Sequence, residues 1–313
     1  MSNKENRHTW YIVGHGAIGL LWANALSCHN KVSLVLRDPS LSSALTYTFT
    51  DIKEHSKQLT VDITSVENLS CEQITIDKLL IPTKAYDILP AVKQLQPFLS
   101  DTCSLLLCHN GLGTIEKVQA LLKPKQSLYF ATTTHGAYKP SKHSVVHTGL
   151  GETKIGLIQG HDSLIESKGL LPPFSWQTNI TVTLWNKLAI NCTINPLTAI
   201  HNCKNGELEK SEYRTQLTQI CQEFCLVANK SLESKALKSE VFNSEQLLNR
   251  CLEVIKATAN NFSSMHQDVK HARLSEIDFI TGFLINKASE LNLSVPTHEL
   301  IYRQFMDISS KHQ

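Results

Sequence analysis

The chain has few of the features that mark membrane proteins or nucleic-acid-binding proteins. No run approaches the ~18 consecutive apolar residues that a membrane-spanning helix requires. The segment Met1 to Thr9 is polar and lacks the apolar core of a signal peptide. A formal net charge of +2 over 313 residues gives no indication of an extended basic surface for a polyanion. We therefore expect a cytoplasmic protein with no membrane partner and no nucleic-acid partner.

The nine cysteines and fourteen histidines are scattered and form no recognised metal-binding motif. The sequence contains neither a C-x-x-C pair nor an H-E-x-x-H segment. Cys221 and Cys225 are one helical turn apart, but no histidine stands at ligand spacing beside them, which favours packing over metal binding. The odd number of cysteines indicates free thiols in a reducing compartment. We expect no metal site.

One glycine-rich segment stands between an apolar strand and an apolar helix, which is the context that a dinucleotide-binding turn requires. In this interpretation Gly14 permits the tight turn, Gly16 lets the backbone approach a pyrophosphate, and Gly19 lets the helix pack on the sheet. The N-terminus of the helix also offers unpaired N–H groups to the phosphates. The segment predicted to bind the cofactor consists of Gly14, His15, Gly16, Ala17, Ile18 and Gly19.

Strand-like and helix-like segments alternate in the first half of the chain, which predicts a parallel sheet with helices on both faces. From about residue 180, apolar residues recur every three or four positions, as is typical of helices. The sequence thus predicts an α/β protein: an N-terminal Rossmann-type doubly wound parallel sheet in residues 1–178 and an all-α C-terminal domain in residues 179–313. The predicted strands are 10–14, 31–36, 78–82, 103–108, 127–131 and 154–158, and the predicted helices of the second half are 182–194, 211–230, 244–260 and 271–291.

The end of the second predicted strand bears on the choice between NAD and NADP. An acidic residue there binds the ribose 2′-hydroxyl of NAD, whereas an arginine holds the 2′-phosphate of NADP. Arg37 and Asp38 both follow strand 31–36. Because Arg37 comes first, the order favours NADP. Asp38 has an alternative role, which is to begin a turn with Pro39.

A row of polar residues lies on the otherwise apolar helix predicted over 182–194. Lys187, Asn191 and Asn195 are spaced four residues apart and share one face. An amine and two amides on a largely buried helix need partners, which a polar ligand would supply. The alternative is a solvated row on a surface helix. Pro196 removes a helical hydrogen bond, so we expect the helix to end or kink just past Asn195.

A helix predicted over 271–291 would place Glu276 beside apolar neighbours such as Phe279. A buried carboxylate there usually has a cationic or hydroxyl partner. The alternative is an exposed acid near the helix start, favoured by the helix dipole. Asn261 and Ser264, three residues apart, would share a helix face in the same way, with a simple polar surface as the alternative.

Further segments stand in one order along nearly the whole chain, and several motifs together are more specific than any one of them. Besides the glycine-rich turn and the polar row they include Thr83-Lys84-Ala85, His109-Asn110-Gly111-Leu112-Gly113-Thr114, Thr132-Thr133-Thr134-His135, Asn205-Gly206-Glu207-Leu208, Asn261-Phe262-Ser263-Ser264-Met265 and Thr281-Gly282-Phe283. With these segments the chain resembles the ketopantoate reductases (2-dehydropantoate 2-reductases).

The resemblance implies an active site in the cleft between a Rossmann-type and a helical domain. It also implies NADPH-dependent reduction of the small-molecule substrate 2-dehydropantoate to (R)-pantoate, on the route to vitamin B5 and coenzyme A. Lys187 matches the family's proton donor. The residues that match substrate contacts are Lys187, Asn191, Asn195, Asn205, Asn261, Ser264 and Asn110. The residues that match cofactor contacts are Arg37, Lys84, Asn110, Ala137 and Glu276. Pro82 departs from the family pattern, which has a plain strand residue before Thr83-Lys84.

Other functions fit part of the same pattern. A reductase of the same fold would act on a different 2-oxo acid, and a non-catalytic sensor would bind NADPH without oxidising it. A Schiff-base enzyme would use the lysine covalently, but the dinucleotide-binding turn disfavours it. The sequence is compatible with a monomer or a homodimer.

Overall fold

The computed structural model describes residues 9–37, 43–161, 164, 168–233 and 242–310. The chain divides into two compact units. The first contains Met1–His109 and Thr114–Ile180, and the second contains Thr181–Gln313 together with the short segment Asn110–Gly113. In the described part of the chain no helix is long and apolar enough to cross a membrane.

The first unit is built on one mixed sheet, whose strands follow the order β11-β10-β7-β6-β5-β1-β2-β4-β3-β9-β8. The six strands from β7 to β4 in this order pair in parallel. They reproduce the 3-2-1-4-5-6 order of dinucleotide-binding sheets. The strands are β1 (Thr9–Val13), β2 (Lys31–Val35), β3 (Ala44–Thr50), β4 (Ser56–Thr64), β5 (Ile76–Ile81), β6 (Leu99–Leu107), β7 (Ser127–Thr133), β8 (Gly136–Ser141), β9 (Ser144–Gly149), β10 (Thr153–Gln159) and β11 (Phe174–Trp176).

The predicted Rossmann-type sheet followed by a helical domain is confirmed, and each of the six predicted strands is present. The sequence did not predict strands β3, β4, β8, β9 and β11. Two antiparallel hairpins account for most of this difference: β3 pairs with β4, and β8 pairs with β9. Because β3 also pairs with β9, the hairpins extend one edge of the parallel sheet.

Helices of the first unit connect these strands, and α1 is the most apolar of them. Leu20 and Trp22 on α1 are fully buried, as are Trp10 and Ile12 on β1. This packing anchors the turn between β1 and α1. The helices are α1 (Ala17–Leu26), α2 (Val66–Cys71), α3 (Ala85–Leu95) and α4 (Ile115–Gln119).

The second unit is helical in its described residues. Its longest helix is α5, which begins at Ile180 and therefore starts on the last residue of the first unit. The helices are α5 (Ile180–Ile200), α6 (Arg214–Glu233), α7 (Ser244–Ala257), α8 (Ser264–Lys270), α9 (Thr281–Glu290) and α10 (Pro296–Ser309). Single 3-10 segments span Asn205–Glu209, Ser211–Tyr213 and Ile277–Phe279.

Pro196 led us to expect that α5 would end or kink just past Asn195; the helix does not end there but continues to Ile200. A proline inside a helix removes one hydrogen bond and crowds the carbonyl group four residues earlier, a local cost that the burial of neighbouring residues such as Cys192 and Leu197 outweighs. The hydroxyl oxygen of Thr198, two residues further on, lies 3.1 Å from the carbonyl oxygen of Ile194 and 3.0 Å from that of Asn195.

The continuous helix predicted over 271–291 is also wrong, since only Thr281–Glu290 is α-helical. Ala272 adopts a left-handed conformation (φ 49°) just past α8, and Ile280 is non-helical. The backbone therefore leaves the helical path twice in this segment. The argument that placed Glu276 on a helix face is therefore wrong, because Glu276 precedes a 3-10 turn. The shared helix face expected for Asn261 and Ser264 is wrong for a separate reason, since Asn261 precedes α8, which begins at Ser264.

Candidate cofactor and substrate sites

The turn between β1 and α1 has the geometry that its glycines predict. Gly14 is left-handed (φ 79°), and its N–H donates to the carbonyl oxygen of Val35 (2.9 Å). A Cβ atom on Gly16 would meet no heavy atom within 4 Å, so the backbone at the N-terminus of α1 is open to a ligand. A Cβ on Gly19 would lie 3.4 Å from both the Gly14 carbonyl oxygen and Cγ of Pro82, which leaves little room for a larger residue.

A cavity of about 1110 Å³ opens beside this turn, within the first unit. Gly14 and His15 line one part of it, and Arg37, Glu67 and Asp87 add charged groups. The apolar part of the wall is formed by Val35, Leu36, Val66, Pro90, Ala91, Leu95 and Phe98. An apolar groove that combines a glycine turn with a cationic side chain fits the adenosine half of a phosphorylated dinucleotide.

Arg37 follows β2 and forms an ion pair with Asp87 on the wall of this cavity. Its Nη2 atom lies 2.6 Å from Oδ1 of Asp87, in the first turn of α3. The Arg37 side chain is 80% exposed and that of Asp87 is 33% exposed. The guanidinium therefore remains accessible to a ligand phosphate. Asp38, the other candidate for the cofactor ribose, lies outside the described residues.

A second cation, Lys139 of β8, contacts the glycine turn. Its Nζ donates to the carbonyl oxygen of His15 (3.0 Å). Burial lowers the pKa of His15, and the neighbouring charges of Lys139, Lys142 and His143 lower it further. Burial also lowers the pKa of Lys139. The sequence did not single out Lys139, because 124 residues separate it from His15.

The two other predicted cofactor positions in the first unit are half-buried. Lys84 is the N-cap residue of α3, and its carbonyl oxygen accepts the N–H of Asp87 (2.9 Å). Ala137 lies in β8, opposite His147 of β9. Neither residue is among those that line the cavity.

In the second unit, α5 presents Lys187, Asn191 and Asn195 on one face. All three are half-buried. Their neighbours on the helix are more deeply buried, among them Leu188 and Cys192. The row is therefore not a fully solvated stripe, and it offers one amine and two amides in a partly desolvated environment.

Asn205 and Asn261 are brought together by backbone pairing. The N–H of Asn205 donates to the carbonyl oxygen of Asn261 (2.9 Å). The Asn205 side chain donates to the hydroxyl of Thr258 (2.9 Å), while its Oδ1 is buried and has no hydrogen-bond partner. An unpartnered buried acceptor is costly, and a ligand hydroxyl would satisfy it.

Helix α8 begins at Ser264, one residue after its N-cap. Ser263 caps it by accepting the N–H of His266 (3.0 Å), and the hydroxyl of Thr198 on α5 donates to Ser263 (2.8 Å). This contact links the start of α8 to α5, the helix that carries the row of Lys187, Asn191 and Asn195. Ser264 and Asn261 are exposed on either side of the cap.

Asn110 and Glu276 meet although 166 residues separate them. The Asn110 side-chain amide donates to Oε2 of Glu276 (3.2 Å), and Glu276 is only 4% exposed. The segment is held further by the Leu112 N–H, which donates to the carbonyl oxygen of Phe279 (2.8 Å). Gly111 is left-handed (φ 78°), and a Cβ there would lie 2.3 Å from the same carbonyl oxygen. Only glycine fits this approach.

No group of three or more histidine, cysteine, aspartate or glutamate side chains suited to a metal ion occurs in the described ranges. The strand order and the glycine turn define a dinucleotide-binding fold followed by a helical unit. Two family models match the chain: Ketopantoate reductase PanE/ApbA over residues 10–160, and Ketopantoate reductase PanE/ApbA C terminal over residues 179–309.

Curated relatives agree with the family models. The chain is 36% identical to a 2-dehydropantoate 2-reductase of Vibrio cholerae, covering 94% of this chain and 95% of the relative. It is 34% identical to that of Escherichia coli O157:H7, covering 96% and 95% respectively. The protein belongs to the ketopantoate reductase family and is an enzyme of that family.

Solved structures have the same fold. A probable 2-dehydropantoate 2-reductase from Bacillus subtilis matches with a TM-score of 0.75 at 26% identity, covering 96% of this chain and 99% of that one. A D-mandelate dehydrogenase solved with NADH and anilino(oxo)acetate matches with a TM-score of 0.81 at 20% identity, covering 97% and 99%. The second match is evidence for the fold alone.

Proposed function

We propose that this protein reduces 2-dehydropantoate to (R)-pantoate with NADPH, on the route to pantothenate and coenzyme A. The observation that carries the proposal is the half-buried row of Lys187, Asn191 and Asn195 on α5 of a ketopantoate reductase family member. The first unit would hold the cofactor and the second the acid. We propose a cytoplasmic enzyme that acts as a monomer or a homodimer.

The residues of the first unit fit a phosphorylated dinucleotide. The open backbone at Gly16 and the N-terminus of α1 suit the pyrophosphate, as do the positive charges around His15. The exposed guanidinium of Arg37 suits a 2′-phosphate. Lys84 and Ala137 remain proposed contacts, and so do Asn110 and Glu276 on the second unit.

When bound, NADPH supplies a hydride for the C2 carbonyl carbon of the substrate. Negative charge then develops on the carbonyl oxygen. The Lys187 ammonium would stabilise that charge and donate the proton that completes the hydroxyl group. A positioned general acid of this kind contributes roughly 10²–10⁴-fold to the rate.

The amides would orient the substrate. Asn191, Asn195 and Asn261 with Ser264 offer hydrogen bonds to the carboxylate and the 4-hydroxyl of the acid. Asn205 has a buried oxygen without a partner, which would accept a substrate hydroxyl. Holding the carbonyl in one position lowers the entropic cost of the reaction.

The test is the consumption of NADPH, followed by absorbance, with 2-dehydropantoate and with 2-oxo acids that lack the 4-hydroxyl. The proposal predicts the highest kcat/KM for 2-dehydropantoate. A higher value for another 2-oxo acid would assign the enzyme to that substrate instead. NADPH binding without turnover of any 2-oxo acid would indicate a sensor.

A further inference from the structure

The ion pair between Arg37 and Asp87 bears on cofactor selectivity. The two side chains come from different elements, the end of β2 and the first turn of α3, and they meet at 2.6 Å on the wall of one cavity. Gly14 and His15 of the dinucleotide-binding turn line that cavity too. A carboxylate therefore stands directly beside the guanidinium that we assign to the 2′-phosphate.

The two groups of this pair favour different cofactors. A guanidinium binds a phosphate dianion, whereas a carboxylate accepts a hydrogen bond from a ribose hydroxyl and repels a phosphate. Asp87 lies in the first turn of α3, where the helix dipole favours an anionic group. Arg37 uses Nη2 on Asp87, which leaves fewer of its donors for a 2′-phosphate.

The pair is weak enough for a ligand to rearrange it. The Arg37 side chain is 80% exposed, and ion pairs at such exposure contribute little to stability. Asp87 therefore competes with the phosphate without blocking it. A second carboxylate, Glu67, lines the same cavity, but among the described residues Arg37 forms its ion pair with Asp87 and not with Glu67.

We infer that Asp87 is a specificity-determining residue that narrows the preference for NADPH over NADH, by holding Arg37 and by accepting the 2′-hydroxyl of the unphosphorylated cofactor. This inference rests on the proposed role of Arg37 at the 2′-phosphate. With Asp87 in this role, the enzyme uses both NADPH and NADH and prefers NADPH by a modest factor.

The experiment measures the dissociation constants of 2′,5′-ADP and of 5′-AMP, which differ only in the 2′-phosphate, for the full chain and its variants. Asp87→Asn should tighten 2′,5′-ADP about fivefold, the effect of removing one nearby exposed charge. It should also weaken 5′-AMP, because a neutral amide oxygen accepts the ribose hydroxyl less strongly than a carboxylate does. Glu67→Gln removes the same charge from the same cavity and should change the ratio of the two constants less than about twofold.

Arg37→Ala separates this inference from the proposed function. If Arg37→Ala leaves the ratio unchanged, the assignment of Arg37 fails, and the inference fails with it. If Arg37→Ala abolishes the preference but Asp87→Asn does not raise it, the inference alone fails. If Glu67→Gln tightens 2′,5′-ADP as much as Asp87→Asn does, the inference also fails, because the loss of any negative charge from the cavity would then explain the effect. In the Arg37→Ala background, Asp87→Asn should tighten 2′,5′-ADP much less.

Discussion

The two regions to which we assign cofactor and substrate are constructed differently. The glycine turn of the first unit is one contiguous segment, Gly14–Gly19, and its key property is a backbone that approaches a ligand closely. The candidate substrate region of the second unit combines segments far apart in sequence, as the contact of Asn205 with Asn261 shows. The first region depends on backbone conformation, and the second depends on which side chains the fold brings together.

The largest effect should come from the amine of the second unit. Lys187→Ala should lower kcat by about 10²–10⁴-fold, because the variant has no positioned proton donor. The affinity for NADPH should stay within about twofold, since Lys187 is not among the proposed cofactor contacts. Steady-state kinetics and a fluorescence titration of NADPH measure the two quantities. Lys230→Ala, at an exposed position on α6, serves as the control. Unchanged turnover of Lys187→Ala would remove the residue from the mechanism.

A larger residue in place of Gly111 should destabilise the second unit. Gly111→Ala adds a Cβ that would lie 2.3 Å from the Phe279 carbonyl oxygen, at a positive φ. We expect the free energy of unfolding to fall by about 3 kcal/mol. Gly16→Ala, whose Cβ would meet no atom within 4 Å, should lower it by no more than about 1 kcal/mol, the effect of alanine at a helix N-cap. Chemical denaturation measures both. If the free energy of unfolding falls equally in the two variants, the close contact between Gly111 and the Phe279 carbonyl group does not contribute to stability.

The stability of the second unit should also respond to acid through Glu223. The carboxylate accepts the N–H groups of Thr297 (2.8 Å) and His298 (3.0 Å) and contacts His298 Nδ1 (2.8 Å). Burial raises the pKa of Glu223, but these hydrogen bonds outweigh it, so the pKa lies below the ordinary value.

A lowered folded-state pKa means that the contribution is complete above the ordinary pKa of glutamate and is lost as the pH falls through the lower folded-state value. Glu223→Gln should therefore cost about 1–2 kcal/mol near neutral pH and progressively less in acid. Unfolding curves across pH measure this difference, with the exposed Glu233→Gln as the control. A cost that does not vary with pH would contradict the role of the charge.

The smallest effect concerns the cation beside the glycine turn. Lys139→Met should weaken NADPH about threefold, and the loss should shrink as salt is added, because an accessible charge is screened. Lys139→Arg should retain most of the affinity. Lys117→Met, on α4 and exposed, should have no effect. A loss that is independent of salt would mean that Lys139 acts only by packing.

The contrast between the contiguous glycine turn and the long-range side-chain contacts of the second unit also explains which features could be predicted from the sequence. The spacing of Gly14, Gly16 and Gly19 and the periodicity of α5 are local patterns, and they predicted a turn and a helix that the structure contains. The hairpin of β3 and β4 was not predicted, although its alternating apolar residues are a local signal of strands: Leu45, Tyr47 and Phe49 in β3, and Leu59, Val61 and Ile63 in β4.

Long-range contacts were beyond any local pattern. Nothing near Lys139 in the sequence indicates its contact with His15, and nothing near Asn110 indicates Glu276 as its partner. The helical face assumed for Glu276 was wrong, because the left-handed Ala272 interrupts the helix. The roles of the polar residues of the second unit were inferred from resemblance, and they stay predictions until they are tested.

A single-turnover measurement tests the division of roles most directly. Enzyme saturated with NADPH is mixed with 2-dehydropantoate, and the loss of reduced-nicotinamide absorbance is followed for Gly16→Ala and Lys187→Ala. We predict that Gly16→Ala needs about tenfold more NADPH to saturate, since its Cβ projects toward the ligand, but then reacts at close to the unmodified rate. Lys187→Ala should bind NADPH normally and react at least ~100-fold more slowly. A rate for Lys187→Ala equal to that of the unmodified enzyme would contradict the account.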